Sequence, residues 1–352
     1  MVRGLVCAAL MASALSSYSS MAVKAASFDC AKASTPFEQA ICGDDDLSTA
    51  DERLAKTYAT AIGGLSEFAL TEMRTSQRAW LDYAQRACTR DAEPMASGTY
   101  DEWGLRCLRD VFNGRSRALE MSRMIDGDRY YPLAQFSVQQ DPDEADNPDS
   151  NWPVAQHELT MVQIDGEEPY ARTFNQLVQE EGALISTPFA AQGGPETMTD
   201  DTSSDTSNSI AVERVAGRNL ISLEVNTYWY GHGAAHGNYA IYYKHFLKEQ
   251  ERFLEAGDMF QGKGWQRALL GLVVEAAKAE HGDNLMLDDT TYIAESVIDP
   301  SRWNLSDPYG LVIQFQPYEI SAYAYGAPTT RVTWEALAPY LTENADRIRR
   351  GY

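Results

Sequence analysis

The sequence predicts two units: a small, disulfide-stapled all-α helical domain over residues 27–124, and an α+β domain with a largely antiparallel sheet over residues 152–352. Three observations predict it. Cys30, Cys42, Cys88 and Cys107, the cysteines beyond residue 7, all lie in the first third of the chain. Apolar residues between 47 and 119 recur at helical spacing. Beyond residue 152, several segments alternate apolar and polar residues as half-buried strands do.

Residues 1–25 read as a secretory signal peptide. Arg3 supplies a positive start and "LVCAALMASAL" an apolar centre, and small-residue cleavage sites end at Ala22 or at Ala25/Ala26. Cys7 lies inside this segment, and neither Cys7 nor Cys30 follows a lipoprotein box. The expectation is a periplasmic or secreted protein with no stable membrane insertion. An even cysteine count in an exported chain implies two disulfides. Of three connectivities, Cys30–Cys42 with Cys88–Cys107 closes short loops; the spacing alone leaves all three open.

In the helical region, "LSTADERLAKTYATAI" places Leu47, Leu54, Tyr58 and Ile62 on one face, and Ser48 with Asp51 offers a capping-box start. "LTEMRTSQRAWLDYAQRAC" aligns Leu70, Met73, Trp80, Leu81 and Ala84. "LRCLRDVFNGRSRALEM" aligns Leu105, Leu108, Phe112 and Leu119, with Gly114 costing about 1 kcal/mol relative to Ala. Residues 125–151 then read as an acidic linker or loop, since "QQDPDEADNPDSNWP" is rich in Pro and Asp. Asp141, Asp143 and Asp146 lack the central Gly and closing Glu of a calcium loop.

Further on, "HELTMVQID" reads as a strand and "YARTFNQLVQEEG" as a helix. "TMTDDTSSDTSNS", Thr197–Ser209, is polar and aperiodic and reads as a surface loop. "LISLEVNTYWY", "YAIYYKHF" and "LVIQFQPYEI" alternate as strands, and "WQRALLGLVVEAAKAEHG" is a helix ending near Gly282.

The net charge is -22, or -24 once Arg3 and Lys24 leave with the leader. Such a field disfavours nucleic acid and anionic membranes and attracts basic partners. The search for catalysis returns little. There is no GxSxG, phosphate loop or HExxH, and Gly233 stands where the Glu of the last motif would be. His232 and His236 sit in "TYWYGHGAAHGNY", a glycine-rich turn between strands, where histidines bonding locally are the default reading. No cofactor, metal site or enzymatic activity is expected. The remaining candidates are aromatic and polar partner contacts: Tyr228, Tyr230, His232, His236, Tyr318, Glu319 and Tyr323.

Two resemblances bear on these residues. "FDCAKASTPFEQAIC", "LSTADERLAKTY", "QRAWLDYAQRAC" and "CLRDVFNGRSRAL" resemble the LprI-type lysozyme inhibitor family over about Ser27 to Met124. All four cysteines match, and Phe112 stands where Tyr is common. "YWYGHGAAHGNYAIYYKHF", "FLEAGDMFQ" and "GLVIQFQPYEISAYAYG" resemble the extracytoplasmic, lysozyme-sensing domain of RsiV-type anti-sigma factors, also found beside peptidoglycan deacetylases, over about Glu158 to Leu341. The chain lacks the sigma-binding helices, membrane segment and deacetylase domain of those proteins, so transduction and deacetylation do not carry over.

Together the resemblances imply an exported protein that binds and inhibits lysozyme, a basic protein, through an acidic surface and a cleft-filling loop. The turn His232–Gly237 and Thr197–Ser209 are the candidate loops. The alternatives are a non-catalytic peptidoglycan-binding module and a metal-dependent hydrolase.

Overall fold

The computed structural model describes residues 26–144, 147–186 and 202–351. The expected leader at 1–25, Asp146, and the Thr197–Asp201 part of the expected loop lie outside the described residues.

The helical region consists of α1 (Pro36–Gly43), α2 (Asp45–Ala61), α3 (Glu67–Ala87) and α4 (Glu102–Leu119). Both disulfides form as the short-loop pairing requires, Cys30–Cys42 and Cys88–Cys107. The expected faces are buried where they matter: Leu47, Leu54, Met73, Trp80, Ala84, Leu108, Phe112 and Leu119 share one core. Leu81 is exposed. Ser48 and Asp51 form no cap, because α2 begins earlier: the Asp44 side chain accepts from Leu47 N–H at 2.8 Å. The capping box belongs to α1, where Thr35 and Glu38 exchange bonds of 3.0 and 3.2 Å.

A seven-stranded sheet follows in sequence order: β1 (Arg123–Ile125), β2 (Asp128–Gln140), β3 (Val154–Ile164), β4 (Ser204–Ala216), β5 (Leu220–Gly231), β6 (Asn238–Leu247) and β7 (Arg252–Phe253). Every neighbouring pair is antiparallel except β3 and β4. That one parallel pair is bridged by α5 (Pro169–Ile185), as a parallel connection demands. Gly182 on α5 permits the close approach of helix to sheet. A Cβ there would meet Met161 Cγ at 3.1 Å and its sulfur closer still.

Two expectations change here. The stretch 125–151 is not all linker or loop: Asp128–Gln140 form strand β2, and the irregular run begins after Gln140. β2 is recruited by packing: Tyr131 and Val138 join the helical core, while Tyr130 joins the core under α5. Ser204–Ser209 belongs to β4, not to a loop. Its inward residues are polar but partnered, which hides the strand from a hydropathy reading. Thr206 bonds buried His157 at 2.9 Å, and Asn208 donates to Ile185 C=O at 2.8 Å and accepts from Tyr228 N–H at 3.1 Å.

The rest of the chain builds a third core. It includes α6 (Ala256–Met259), α7 (Trp265–His281) and a three-stranded antiparallel sheet of β8 (Trp303–Asn304), β9 (Gly310–Gln314) and β10 (Thr329–Thr333), in the order β10-β9-β8. Strand β9 stops at Gln314, short of the alternating run through Ile320. Pro317 cannot donate to a ladder, and Gln316 and Glu319 turn the chain elsewhere.

Buried His245 on β6 joins the two sheets, bonding Ser222 Oγ at 2.9 Å and Trp303 C=O at 2.6 Å. Burial lowers its pKa to about 4 from an ordinary 6.5, opposed by the bond to the Trp303 carbonyl. The native state thus favours neutral imidazole. Its stabilising effect is complete above pH 6.5 and is lost as pH falls toward 4, by about 3 kcal/mol in total. Melting curves should show His245→Gln less stable than wild type at pH 7, with the gap narrowing by pH 4. A constant gap would rule out this titration.

Candidate functional site: an aromatic rim around the β5–β6 turn

Strand β5 ends at Gly231 and β6 begins at Asn238, so residues 232–237 form the turn. Gly233 takes φ +76°, the left-handed region that favours glycine. Ala234 N–H bonds Gly231 C=O at 2.9 Å, and the Tyr230 hydroxyl donates to Ala234 C=O at 3.0 Å. Tyr230 also packs against Trp152, ring centroids 5.9 Å apart.

The two histidines behave differently. His232 does not bond locally, as the glycine-rich context suggested. Its ring is buried between two carboxylates distant in sequence, with Asp141 at 2.5 Å from Nδ1 and Asp205 at 3.3 Å from Nε2. The His232 side chain is 4% exposed and that of Asp141 1%. Burial opposes the charged ring, but the bonds and fields of Asp205 and Asp141 outweigh it, and the pKa is raised above 6.5. Asp141 is therefore committed to His232. Among the described residues, no three His, Cys, Asp or Glu side chains are grouped to hold a metal.

His236 stays at the surface and organises aromatic rings. Its Nδ1 donates to Gly237 C=O at 2.8 Å, and Nε2 faces the Tyr318 hydroxyl at 3.3 Å. The ring stacks on Tyr323, centroids 4.0 Å apart. The Tyr323 hydroxyl donates to the same Gly237 carbonyl at 2.5 Å. Tyr318 and Tyr239 flank Tyr323, with centroids at 5.2 and 6.3 Å. Tyr228 closes the cluster against Gly237, where an added Cβ would lie 2.6 Å from the Tyr228 ring carbon Cε2.

The second half of the rim comes from the chain after β9. Gln316 clamps β6 with its side-chain amide, accepting from Ile241 N–H at 2.9 Å and donating to Ile241 C=O at 2.6 Å. Glu319 makes a bidentate pair with Arg302 at 3.0 and 3.1 Å and accepts from Gln316 N–H at 2.7 Å. Both partners are largely buried. Between these anchors Tyr318 holds φ +68° while 62% exposed. An exposed non-glycine residue in that region is a strained feature of the kind that collects at functional sites.

Of the seven candidate residues, Tyr228, His236, Tyr318 and Tyr323 meet in this rim. Tyr230 props the turn, His232 pins it from below, and Glu319 anchors the Tyr318 loop. Sequence reading singled out neither Arg302 nor Gln316, and met Asp205 only as part of the Thr197–Ser209 candidate loop. Their partners lie 17 to 75 residues away, beyond any local pattern. The rim offers ring faces, tyrosine hydroxyls and a histidine edge, which suit adhesion and hydrogen bonding.

Comparison with known proteins agrees with the two resemblances. Residues 30–119 match the family model "Lysozyme inhibitor LprI", and residues 258–335 match "Protein of unknown function (DUF3298)". The second match is shorter than the resemblance read from the sequence. A crystal structure of a DUF3298 family member from Bacteroides fragilis NCTC 9343 is 15% identical, with TM-score 0.45, covering 65% of this chain and 100% of that chain. A crystal structure of a DUF3298 family protein from Pseudomonas aeruginosa PAO1 is 14% identical, with TM-score 0.44, covering 64% of this chain and 98% of that chain. No curated protein matches. Among the described residues, no helix is long and apolar enough to cross a membrane.

The His232 clamp carries a pH signature opposite in sign to that of His245. With its folded pKa raised, the stabilisation by charged His232 is complete below pH 6.5 and is lost as pH rises through the folded value. His232→Ala leaves buried Asp141 without its cation and should cost about 3 kcal/mol at pH 6, and less at pH 9. Urea titrations at the two pH values measure this; equal losses would contradict the clamp. Gly237→Ala would press on the Tyr228 ring and should cost about 1–3 kcal/mol. Unchanged stability would mean that Tyr228 does not pack there.

Proposed function

We propose that this is an exported protein that binds lysozyme and inhibits it, acting by adhesion and not by catalysis. The observation that carries the reading is the match of residues 30–119 to the lysozyme inhibitor family, with the helices and both disulfides that the segment implies. The net charge of -22 supports a basic partner, since a negative field raises the encounter rate with a cation-rich protein.

The contact surface in this reading is the aromatic rim, and the turn His232–Gly237 is the loop that enters the enzyme's cleft. Exposed ion pairs add little each, so affinity rests on a few aromatic anchors. Tyr318 is the first of these. It is the most exposed tyrosine of the rim and is followed in sequence by Glu319, which pairs with Arg302. The pinned turn loses little freedom on binding, which lowers the entropic cost of association.

The test is clearing of a cell-wall suspension by an animal-type lysozyme, with and without the oxidised mature protein. Stoichiometric inhibition that weakens as salt rises is expected. Tyr318→Ala with Tyr323→Ala should weaken inhibition about 10- to 100-fold while both disulfides and the fold remain. Undiminished clearing at equimolar protein, with no complex on a sizing column, would reject the reading.

A further inference from the structure

A second cleft, which shares Tyr228 with the rim, lies where the helical region meets the sheet. Its volume is about 470 Å³, inside the ~300–1,000 Å³ range of small-ligand sites, which favour such junctions. One wall is a single face of α4. Trp103, Arg106, Asp110, Gly114 and Arg117 all line the cleft, and their spacing of three, four, four and three residues keeps them on one helical stripe. Gly114 opens the middle of this wall, since a Cβ there would meet nothing closer than Arg117 at 3.9 Å. The opposite wall comes from the sheet: Gln156 and Glu158 on β3, Asp205 and Thr206 on β4, and Tyr228 on β5.

The two walls differ in chemistry. The helix wall presents Arg106 and Arg117, both exposed, with the exposed carboxylate of Asp110 between them in sequence. Neither is in an ion pair with another described residue, whereas Arg109 on the same helix pairs with Asp44. The sheet wall presents acceptors. Glu158 accepts the Tyr83 hydroxyl at 2.8 Å. Desolvation raises its pKa, against the Tyr83 bond and the charges of Arg115 and Arg117. Asp205 Oδ1 is held by Gln156 N–H at 2.8 Å and by His232 at 3.3 Å, leaving its second oxygen for a ligand. Trp103 on the helix side and Tyr228 on the sheet side add flat aromatic surface. Trp103 is fixed by a bond from its indole N–H to Asn151 C=O at 3.2 Å and by Arg90 over its ring, and Tyr228 is 41% exposed.

We propose that this cleft binds a short acidic saccharide. Acceptors on the sheet wall suit a ligand rich in hydroxyl donors. The Trp103 and Tyr228 rings suit the apolar faces of pyranose rings. The two arginines suit carboxylates, which guanidinium recognises in a bidentate manner. A neutral sugar leaves the arginines unused, and an acidic peptide lacks the hydroxyl donors that the acceptors of the sheet wall would take. The ligand touches both α4 and the sheet, so binding also stabilises their docking. This proposal does not rest on lysozyme binding: the arginine wall is on a different element from the His236–Tyr318–Tyr323 rim.

The test uses the full mature chain and titration calorimetry with three probes: trigalacturonate, maltotriose and triglutamate. Trigalacturonate should bind, and maltotriose and triglutamate should bind at least tenfold more weakly. Arg106→Ala with Arg117→Ala should weaken trigalacturonate at least tenfold. Both side chains are exposed, so the double variant should keep its melting temperature. Tyr318→Ala should leave trigalacturonate binding unchanged whatever it does to lysozyme. The proposal is overturned if trigalacturonate does not bind at millimolar concentration, if maltotriose or triglutamate binds equally well, or if the double arginine variant binds as wild type does.

Discussion

The structure depends on strand β2 serving two cores at once. Tyr130 and Tyr131 are adjacent and fully covered, yet Tyr130 packs under α5 while Tyr131 packs with the four-helix region. Period-two alternation makes this the natural outcome of a strand covered on both faces. The helical region is therefore part of the sheet's cover and not an appended bead. Polar pins reinforce the seam: Tyr83 to Gln156 and Glu158, Ser66 to Asp165, and Arg129 to the Ala61 carbonyl. Removing one pin leaves the others, whereas removing the apolar contact would expose both tyrosines.

The helical region was legible because its signals are local. Cysteine spacing, the periodic leucines of α2 and α4, and Trp80 with Met73 on α3 each act within a few turns. The sheet was half legible. β3, β5 and β6 alternate visibly, but β4 hides behind Ser204, Thr206 and Asn208, whose burial is sustained by hydrogen bonds and not by hydropathy. β2 was hidden by the Pro/Asp-rich segment that follows it. At the rim, the turn and its aromatics could be read from "TYWYGHGAAHGNY". What holds them could not, because Asp141, Asp205, Gln316 and Arg302 reach their positions only through tertiary folding.

His232 and His245 show why residue type alone says little about charge. Both are buried imidazoles on the same sheet, on neighbouring strands or their ends. His245 meets a hydroxyl and a carbonyl, so burial governs and the neutral ring wins. His232 meets two carboxylates, which outweigh burial and favour the cation. In a chain with 51 acidic and 29 basic side chains, a buried cation is also a way to bring acidic segments together. His232 does so for Asp141, just past β2, and Asp205, in β4. Those two carboxylates would otherwise repel each other, with only β3 between their strands.

The same logic governs the rim. Holding Tyr318 at positive φ costs roughly 1–3 kcal/mol, and its exposed ring recovers little of that by burial. The cost is met from beneath, by the largely buried Glu319–Arg302 pair and by Gln316 taking the place of a missing strand beside Ile241. His236 and Tyr323 converge on one carbonyl, Gly237 C=O, which fixes two rings with a single acceptor. Each rotamer-rich side chain ordered before contact spares about 0.5–1.5 kcal/mol when a partner arrives. Tyr228, His236, Tyr239 and Tyr323 are all ordered in this way. A surface built so would give up little further side-chain freedom to a partner of the kind proposed above.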